Sequence, residues 1–278
     1  FSKDMREDSV SYPSCFCDVN TLTYGRRTGE LTIFTAGTGT GKSSFIKEDI
    51  YHLLNNTAFQ IGIVSLEESV KETLDGIIGL HLNKRINLPD TPFDRKGKEG
   101  KDAWEEVAGT GRFTLLDHQG SVGDSTLTDK IEYMCLMGCK YLILDHITIA
   151  VSEGAEGLSG NEAIDKVMSD LLKIVKKHNI WLCLISHLRK APGGGASFEE
   201  GKLASIDDIK GSGSIKQISF DIVAFARNLI ADNETERNTI KFRVLKSRFT
   251  GLTGTAGSAV YSNKTGRLTA TESIFTEI

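Results

Sequence analysis

The sequence predicts an α/β fold with a central, mostly parallel sheet, helices on both faces and antiparallel hairpins near the C-terminal end. Three observations support this prediction. Short, continuous apolar runs alternate with longer helical segments, which is typical of a parallel sheet that is buried on both faces. A glycine-rich turn joins the first of these runs to a helical segment within residues 31–56. After residue 237 the pattern changes to β-type segments joined by turns, which indicates hairpins at the sheet edge.

The predicted elements follow this alternation along the chain. Strands are expected at 31–35, 60–65, 112–116, 140–145, 181–186 and 221–226, and later ones at 238–247, 255–262 and 266–269. Helices are expected at 43–56, 69–87, 101–108, 124–137, 160–178 and 211–219. Glycine-rich stretches at 153–160, 192–201 and 250–258 are candidates for mobile loops.

Residues 1–20 are expected to form a linker or arm outside the core, because they are polar, contain Pro13 and show no clear period. Residues 21–278 are then expected to form one folded domain. The chain begins with Phe1 rather than Met, so we expect it to be a piece of a longer protein.

The composition restricts the class of protein. With 39% hydrophobic and 25% charged residues, the 278-residue chain is expected to bury a sizeable core. No apolar run approaches the ~20 residues of a membrane-spanning helix, and no signal peptide is visible, so we expect a cytosolic location. The net charge of −4 argues against a surface coated in basic charge for nucleic-acid binding, but it leaves room for a basic cleft.

The five cysteines are expected to be free thiols, because their number is odd and the expected location is cytosolic. The alternative is a zinc site built from Cys15, Cys17, Cys135 and Cys139, which their spacing disfavours.

Residues 31–43 have the layout of a P-loop, in which a strand and a glycine-rich turn lead to Gly-Lys-Ser at the start of a helix. Glycines let backbone N–H groups surround phosphate oxygens, and the helix N-terminus adds its positive dipole end. Lys42 is expected to reach the β- and γ-phosphates, and Ser43 to bind Mg²⁺. Ala36 replaces the first consensus glycine, which is a mild departure. The predicted phosphate-binding residues are Ala36, Gly37, Thr38, Gly39, Thr40, Gly41, Lys42, Ser43 and Ser44.

Polar residues also follow three other predicted strands, at the edge where open α/β sheets bind ligands. Asp145 ends an apolar run in the Walker-B arrangement and is expected to hold the metal, with a turn or cap aspartate as the alternative. Either Glu67 or Glu68 could activate the attacking water, although both also favour the start of the next helix. His187 could hydrogen-bond the γ-phosphate, although a lone histidine is more often structural.

Lys246 and Arg248 form a basic pair on a late β-type segment. A cation beside the γ-phosphate stabilises the transferring phosphoryl group, and arginine fingers raise rates by roughly 10³–10⁵. From spacing alone, however, a solvated basic pair on an edge strand is favoured.

Together these motifs resemble the helicase part of ring-forming replicative helicases with a RecA-like core, and most of all the bifunctional primase–helicases of short-tailed bacteriophages. The resemblance extends from about Gly29 to Leu268 and implies a RecA-like P-loop NTPase fold. It rests on Gly29-Glu30-Leu31, on the segments 66–69, 144–147, 186–188 and 208–213, on Lys216-Gln217, and on the segment 245–251.

The resemblance implies a role for each matching residue. Lys42 and Glu67 would be catalytic, with Glu67 as the base, and His187 would sense the γ-phosphate. Arg248 would act in trans, as a finger in the neighbouring subunit's site, and Asp145 would hold Mg²⁺ opposite Ser43. The substrate would be ATP or dTTP, with Arg85 and Tyr261 sandwiching the base and Arg227 and Lys246 as supporting cations.

The resemblance also implies a homo-oligomer, most simply a hexameric ring around single-stranded DNA, with 5′→3′ movement; seven subunits are equally compatible. The DNA-contacting loops would be 147–160, 187–201 and 206–217. Basic residues come early in the loop after His187 and glycines follow, which departs from the family and leaves the pairing of cations with phosphates open. The implied DNA-binding residues are Arg189, Lys190, Lys210, Gly211, Ser212, Gly213, Lys216 and Gln217.

Further partners follow from the same resemblance. A primase part would lie upstream of Phe1, residues 1–20 would pack on the adjacent subunit, and a replicative DNA polymerase could dock, all in the cytoplasm of an infected host cell. Two alternatives remain. One is a strand-exchange recombinase on the same core, and the other is a P-loop enzyme or switch that does not act on nucleic acid.

Overall fold

The computed structural model describes residues 10–117, 127–147, 160–188, 197–209 and 212–275. Within these residues, one sheet has six neighbouring parallel strands and continues at one edge with three antiparallel strands. Helices lie against both faces of the sheet. The predicted fold class is therefore confirmed, including the antiparallel hairpins at the C-terminal end.

The strands lie close to their predicted positions, with two short ones added near the start. Their order in the main sheet is β11-β10-β9-β8-β3-β7-β6-β4-β5, while β1 and β2 pair separately. The strands are β1 (Ser11–Tyr12), β2 (Arg26–Arg27), β3 (Glu30–Ala36), β4 (Gln60–Ser65), β5 (Phe113–Asp117), β6 (Cys139–Asp145), β7 (Trp181–His187), β8 (Asp221–Arg227), β9 (Thr239–Ser247), β10 (Gly254–Tyr261) and β11 (Leu268–Ala270).

The helices divide between the two faces of the sheet, because successive side chains of a strand point to opposite faces. Phe34 of β3 belongs with Phe45 to one hydrophobic cluster, whereas Ile33 belongs with Leu171 to the other. The helices are α1 (Cys17–Thr23), α2 (Lys42–Asn56), α3 (Val70–Leu82), α4 (Lys98–Val107), α5 (Leu127–Leu136), α6 (Gly160–His178), α7 (Ser212–Ile218) and α8 (Glu234–Asn238), with a 3₁₀ turn at Ile206–Asp208.

Helix α3 is shorter than the predicted segment 69–87. It begins at a capping box, in which Ser69 and Glu72 satisfy each other's backbone N–H groups. It ends at Leu82, because Asn83 takes the left-handed conformation with φ of 51° and its N–H bonds back to the last turn. The chain beyond Asn83 turns back and forms part of the wall of a cavity.

Residues 14–20 differ from the expected arm, because they pack into the core. The ring of Phe16 stacks on Phe45 with 4.5 Å between centroids, and Val19 is buried in the same cluster. Ser14 Oγ donates to the carboxylate of Asp49 at 2.8 Å. The apolar side chains here are too few for a visible period, so their burial depends on contacts with distant elements.

None of the helices in the described ranges is long and apolar enough to cross a membrane. All five cysteines are free thiols, as predicted. Burial raises the pKa of the Cys183 thiol well above its usual value and that of Cys135 to about 11. The one group of potential metal ligands within the described residues contains no cysteine, which gives the zinc alternative no support.

Candidate functional site

The carboxyl ends of four neighbouring strands form one edge of the sheet. The register places Ala36 at the end of β3 beside His187 at the end of β7. It likewise places Ser65 at the end of β4 beside Asp145 at the end of β6. Since β6 and β7 are also paired, the segments that follow all four strands lie side by side.

The P-loop between β3 and α2 has a backbone that only glycine adopts easily. Gly39 and Gly41 have φ values of 72° and 102°, in the region where a Cβ is strained. A Cβ on Gly37 would lie 2.8 Å from Cβ of Phe198, and one on Gly41 would lie 2.3 Å from Ile240. The turn therefore has a glycine-dependent backbone directly before the N-terminus of α2, which fits a phosphate-binding loop.

Lys42, the first residue of α2, points back along the end of the sheet. Its Nζ donates to Nδ1 of His187 at 3.1 Å and to the carbonyl of Ala36 at 3.4 Å. Burial lowers the pKa of Lys42, while the charges of Asp145 and Glu67 act in the opposite direction. This ammonium therefore lies among the groups that the sequence predicts for one site.

The environment of Asp145 supports the predicted metal site. Burial, together with the charge of Glu67, raises the pKa of Asp145 to about 6, and the charge of Lys42 partly compensates. A buried carboxylate with a second carboxylate nearby is the environment that a divalent cation stabilises. Ser43, in the first turn of α2, is the hydroxyl ligand that this motif supplies beside such a carboxylate.

Glu67 lies beside two histidines in a compact cluster. Nε2 of His146 lies 2.9 Å from Oε1 of Glu67, and Nε2 of His187 lies 3.6 Å from the same oxygen. The two imidazole rings meet edge to face with 4.3 Å between their centroids. Burial lowers the pKa of His187, and the charge of Lys42 lowers it further.

His146 was not among the predicted site residues. The sequence placed it at a strand end beside Asp145, but its relation to Glu67 depends on the pairing of β4 with β6. The side chains of Glu67, His146 and His187 are close enough to share a metal ion. The Lys42 ammonium that contacts His187 opposes a second cation there, so the cluster is better suited to hydrogen bonding.

A cavity of about 490 Å³ opens beside α2 and α3, with Ser44 on its wall. Arg85 and Tyr261, the predicted base-sandwiching pair, both line it, and the Arg85 guanidinium lies 6.0 Å from the tyrosine ring centroid. Arg227 lies 5.7 Å from the same ring centroid and bonds to Asn238. Arg227, expected as a supporting cation, thus lies over Tyr261, the side chain that was expected to stack on the nucleotide base.

Arg248 and Lys246 lie near the other end of the strands, away from the P-loop. Ser247, between them, pairs with Asp221, and Asp221 pairs with Thr32 near the start of β3. The Lys246 amino group donates to the carbonyl of Ser219 at 2.7 Å. Arg248 is exposed and donates to the carbonyl of Gln217. The structure therefore does not bring these two cations to the P-loop of their own chain.

The predicted DNA-binding residues divide into two groups. Arg189, Lys190, Lys210 and Gly211 lie outside the described residues. Ser212 begins α7, Gly213 and Gln217 are exposed on it, and Lys216 forms an ion pair with Asp207. DNA contact by Lys216 would therefore require it to exchange this partner.

Comparison with known proteins matches this architecture to one family. The model of the DnaB-like helicase C terminal domain matches residues 12–268. The DNA helicase/primase of Enterobacteria phage T3 is 35% identical over 266 residues, which are 94% of this chain and 46% of that protein. The replicative DNA helicase DnaC of Bacillus subtilis (strain 168) is 24% identical over 262 residues, covering 91% of this chain and 55% of that protein. The chain thus spans about half the length of these curated relatives.

Two solved structures have the same fold at low sequence identity. A DnaB-like replicative helicase, studied with its primase interactions, has a TM-score of 0.72 and 17% identity, covering 96% of this chain and 65% of that one. A second structure, described as an ATPase domain, has a TM-score of 0.73 and 17% identity, covering 97% of this chain and 94% of that one. At this identity the likeness concerns the fold alone.

Proposed function

Because this chain belongs to the DnaB-like helicase C-terminal domain family, we propose that it is the motor domain of a replicative DNA helicase. It hydrolyses a nucleoside triphosphate, moves along single-stranded DNA in the 5′→3′ sense and separates the duplex at a fork. The main observation in support concerns the two ends of the strands. Lys42, Glu67, Asp145 and His187 lie at the carboxyl ends of the parallel strands, whereas Arg248 lies near their opposite ends.

The proposed chemistry is phosphoryl transfer to water. Backbone N–H groups of the P-loop and Lys42 hold the phosphates, and Glu67 accepts the proton of the attacking water. Ser43 and Asp145 would hold Mg²⁺, which neutralises charge on the phosphate oxygens when bound. His187 reports the loss of the γ-phosphate, since it contacts the lysine that binds this group.

Arg248 acts in trans in this proposal, and the sheet register supports that arrangement. Thr32, at the level of Asp221 and Ser247, lies four residues before Ala36. At ~3.3 Å per residue, the backbone near Arg248 is at least ~13 Å from the P-loop of the same chain. An arginine side chain does not extend that far while it contacts the carbonyl of Gln217. A second copy, in a hexameric ring, brings its Arg248 to the site.

The proposal includes the nucleotide and the further partners. The base of ATP or dTTP stacks in the cavity against Tyr261, with Arg85 and Arg227 beside the ring. Single-stranded DNA passes the loops around α7, with Lys216 and Gln217 as contacts. A primase part on the same longer protein, a replicative polymerase and the cytoplasm of an infected host cell complete the proposal. The phage relative, named a helicase/primase, supports the primase association.

The test is to measure nucleotide hydrolysis with and without oligo-dT, and strand separation on a forked duplex. We expect stimulation by single-stranded DNA and unwinding, and we expect Lys42→Ala to lower hydrolysis at least about 100-fold. Lys173→Ala is the matched control, because Lys173 is an exposed lysine that pairs with Asp170.

Other outcomes would contradict the proposal in different ways. Pairing of homologous strands without unwinding would indicate a recombinase. Turnover that oligo-dT does not change would indicate a P-loop enzyme that does not act on nucleic acid.

A further inference from the structure

We propose that His146 is a positioning residue for the catalytic base: it donates a hydrogen bond to one oxygen of Glu67 and thereby directs the other oxygen toward the attacking water. This inference rests on the proposed function, since it concerns the same hydrolysis step. His187, by contrast, is the mobile partner in the cluster and responds to the nucleotide.

The contact distances distinguish His146 from His187 as partners of Glu67. Nε2 of His146 lies 2.9 Å from Oε1 of Glu67, whereas Nε2 of His187 lies 3.6 Å away, beyond good hydrogen-bond distance. A carboxylate oxygen accepts hydrogen bonds and an imidazole N–H donates them, so we assign the proton of this contact to Nε2 of His146. Of the two histidines, His146 therefore makes the defined bond to the base.

His146 and Glu67 also differ in how deeply their side chains are buried. The His146 side chain is 9% exposed, and the Glu67 side chain is 46% exposed. Glu67 follows the end of β4 and is half-exposed, so packing alone does not fix its side chain. A bond from a buried donor restricts those rotamers, because the donor itself has little room to move.

The partners of His187 explain why this histidine does not position Glu67. Its Nδ1 accepts from the Lys42 ammonium at 3.1 Å, and this lysine is the group expected to bind the γ-phosphate. A bound triphosphate competes for the lysine, so the contacts of His187 change with the nucleotide. His146 meets the His187 ring edge to face at 4.3 Å, so it also limits where that ring moves.

The test compares two substitutions that separate the donor from the ring. His146→Phe keeps a ring against His187 and removes the N–H donor, whereas His146→Gln keeps an N–H donor and removes the ring. We expect kcat to fall about 10- to 100-fold in His146→Phe with little change in KM, because a misdirected base slows the chemical step but not binding. His146→Gln is expected to retain most of kcat.

A double-mutant cycle with Glu67→Gln provides the second measurement. If His146 acts through Glu67, His146→Phe produces little further loss of single-turnover hydrolysis in the Glu67→Gln background. Three results would each overturn the inference. The first is full kcat in His146→Phe, and the second is a larger loss of kcat in His146→Gln than in His146→Phe. The third is that His146→Phe slows hydrolysis by the same factor in the Glu67→Gln background as in the wild type. If His146→Phe does not fold, His146→Gln decides alone: a loss of tenfold or more overturns the inference, and near-normal kcat supports it.

These outcomes are separate from failure of the proposed function. Normal hydrolysis in Lys42→Ala, or indifference to DNA, would reject the motor and with it the role of His146 in motor chemistry. DNA-stimulated hydrolysis that needs Lys42 but tolerates His146→Phe would reject only the positioning role.

Discussion

Single residues of the site carry charges that burial makes costly. Burial raises the pKa of Asp145 to about 6 and lowers the pKa of Lys42. Both shifts mean that the folded chain disfavours the charged form that the proposed chemistry needs. Bound metal and phosphate would each supply the missing opposite charge, so the site is expected to gain stability from its ligands.

Asp145→Asn tests whether the buried charge of Asp145 lowers stability. The measurement is the pH dependence of the free energy of unfolding in metal-free buffer. The pKa of Asp145 is about 6 in the folded chain against 3.8 for the free side chain, so the folded state binds the proton more tightly. The wild type therefore loses stability relative to the asparagine variant as pH rises from about 4 to above 6. We expect the variant to be more stable by about 1–3 kcal/mol at pH 7.5 and nearly equal at pH 4, by urea denaturation.

The prediction fails if the difference in unfolding free energy is the same at both pH values. It also fails if the asparagine variant is the less stable protein at pH 7.5. Hydrolysis by this variant is expected to be lost in either case, so activity is not the deciding readout.

The sequence predicted some residues of the candidate site and did not predict others, for a physical reason. Lys42 lies in a local motif, where neighbouring residues determine its environment. His146 matters through its contact with Glu67, and that contact depends on the register of two strands that are distant along the chain. The basic pair Lys246 and Arg248 was visible, but its distance from the P-loop required the sheet order.

Among the elements, α3 connects the site to the cavity. It begins at Val70, two residues after Glu68, and its residues line the pocket beside Tyr261. Its start depends on the capping box, in which the Ser69 hydroxyl accepts from the N–H of Glu72. Changes at this helix start are therefore expected to alter both stability and nucleotide binding.

Ser69→Ala removes the side-chain cap of α3. We expect the free energy of unfolding to fall by about 1 kcal/mol, because one N–H at the helix start loses its acceptor. Glu72→Gln is the matched control, since its amide oxygen still accepts from the N–H of Ser69. Chemical denaturation compares the two; an equal loss in both, or none in Ser69→Ala, would show that the cap does not stabilise this helix.

Elements with strong patterns were predicted well, and elements defined by distant contacts were not. The strands β3 to β11 lie where apolar runs and turns placed them. Helix α1 and the short β1–β2 pair were not predicted, because Phe16 and its neighbours are few and become buried only against α2 and β9. The end of α3 depends on the left-handed conformation of a single residue, Asn83.

At the scale of the whole molecule, one helix connects the proposed DNA path to Arg248. Lys216 and Gln217 lie on α7, whose last turn receives hydrogen bonds from Lys246 and Arg248. These bonds connect the proposed DNA-contacting helix to the residue that would enter the neighbouring site. A change in the DNA contact is therefore expected to move Arg248.

Salt titration of oligo-dT binding tests the phosphate contacts of this path. We expect the logarithm of the association constant to fall linearly with the logarithm of salt concentration, with a slope of about −0.7 per phosphate contacted. Binding should depend little on sequence. A flat salt dependence would exclude a path lined by phosphate-contacting cations.

The central claim is that one active site is shared by two copies of the chain. Arg248→Ala keeps the P-loop, Lys42 and Glu67 but removes the finger, and Glu67→Gln keeps the finger but removes the base. Each variant alone is expected to bind nucleotide and to lose hydrolysis. In an equal mixture, about a quarter of the interfaces combine an intact Glu67 with an intact Arg248, since each interface takes one residue from each subunit.

The most direct measurement is therefore the DNA-stimulated hydrolysis rate of the two variants mixed before assembly. The account predicts that the mixture regains activity toward about a quarter of the wild-type rate, although each variant alone keeps only a small residual rate. A mixture as inactive as its components, or Arg248→Ala hydrolysing at the wild-type rate by itself, would contradict it.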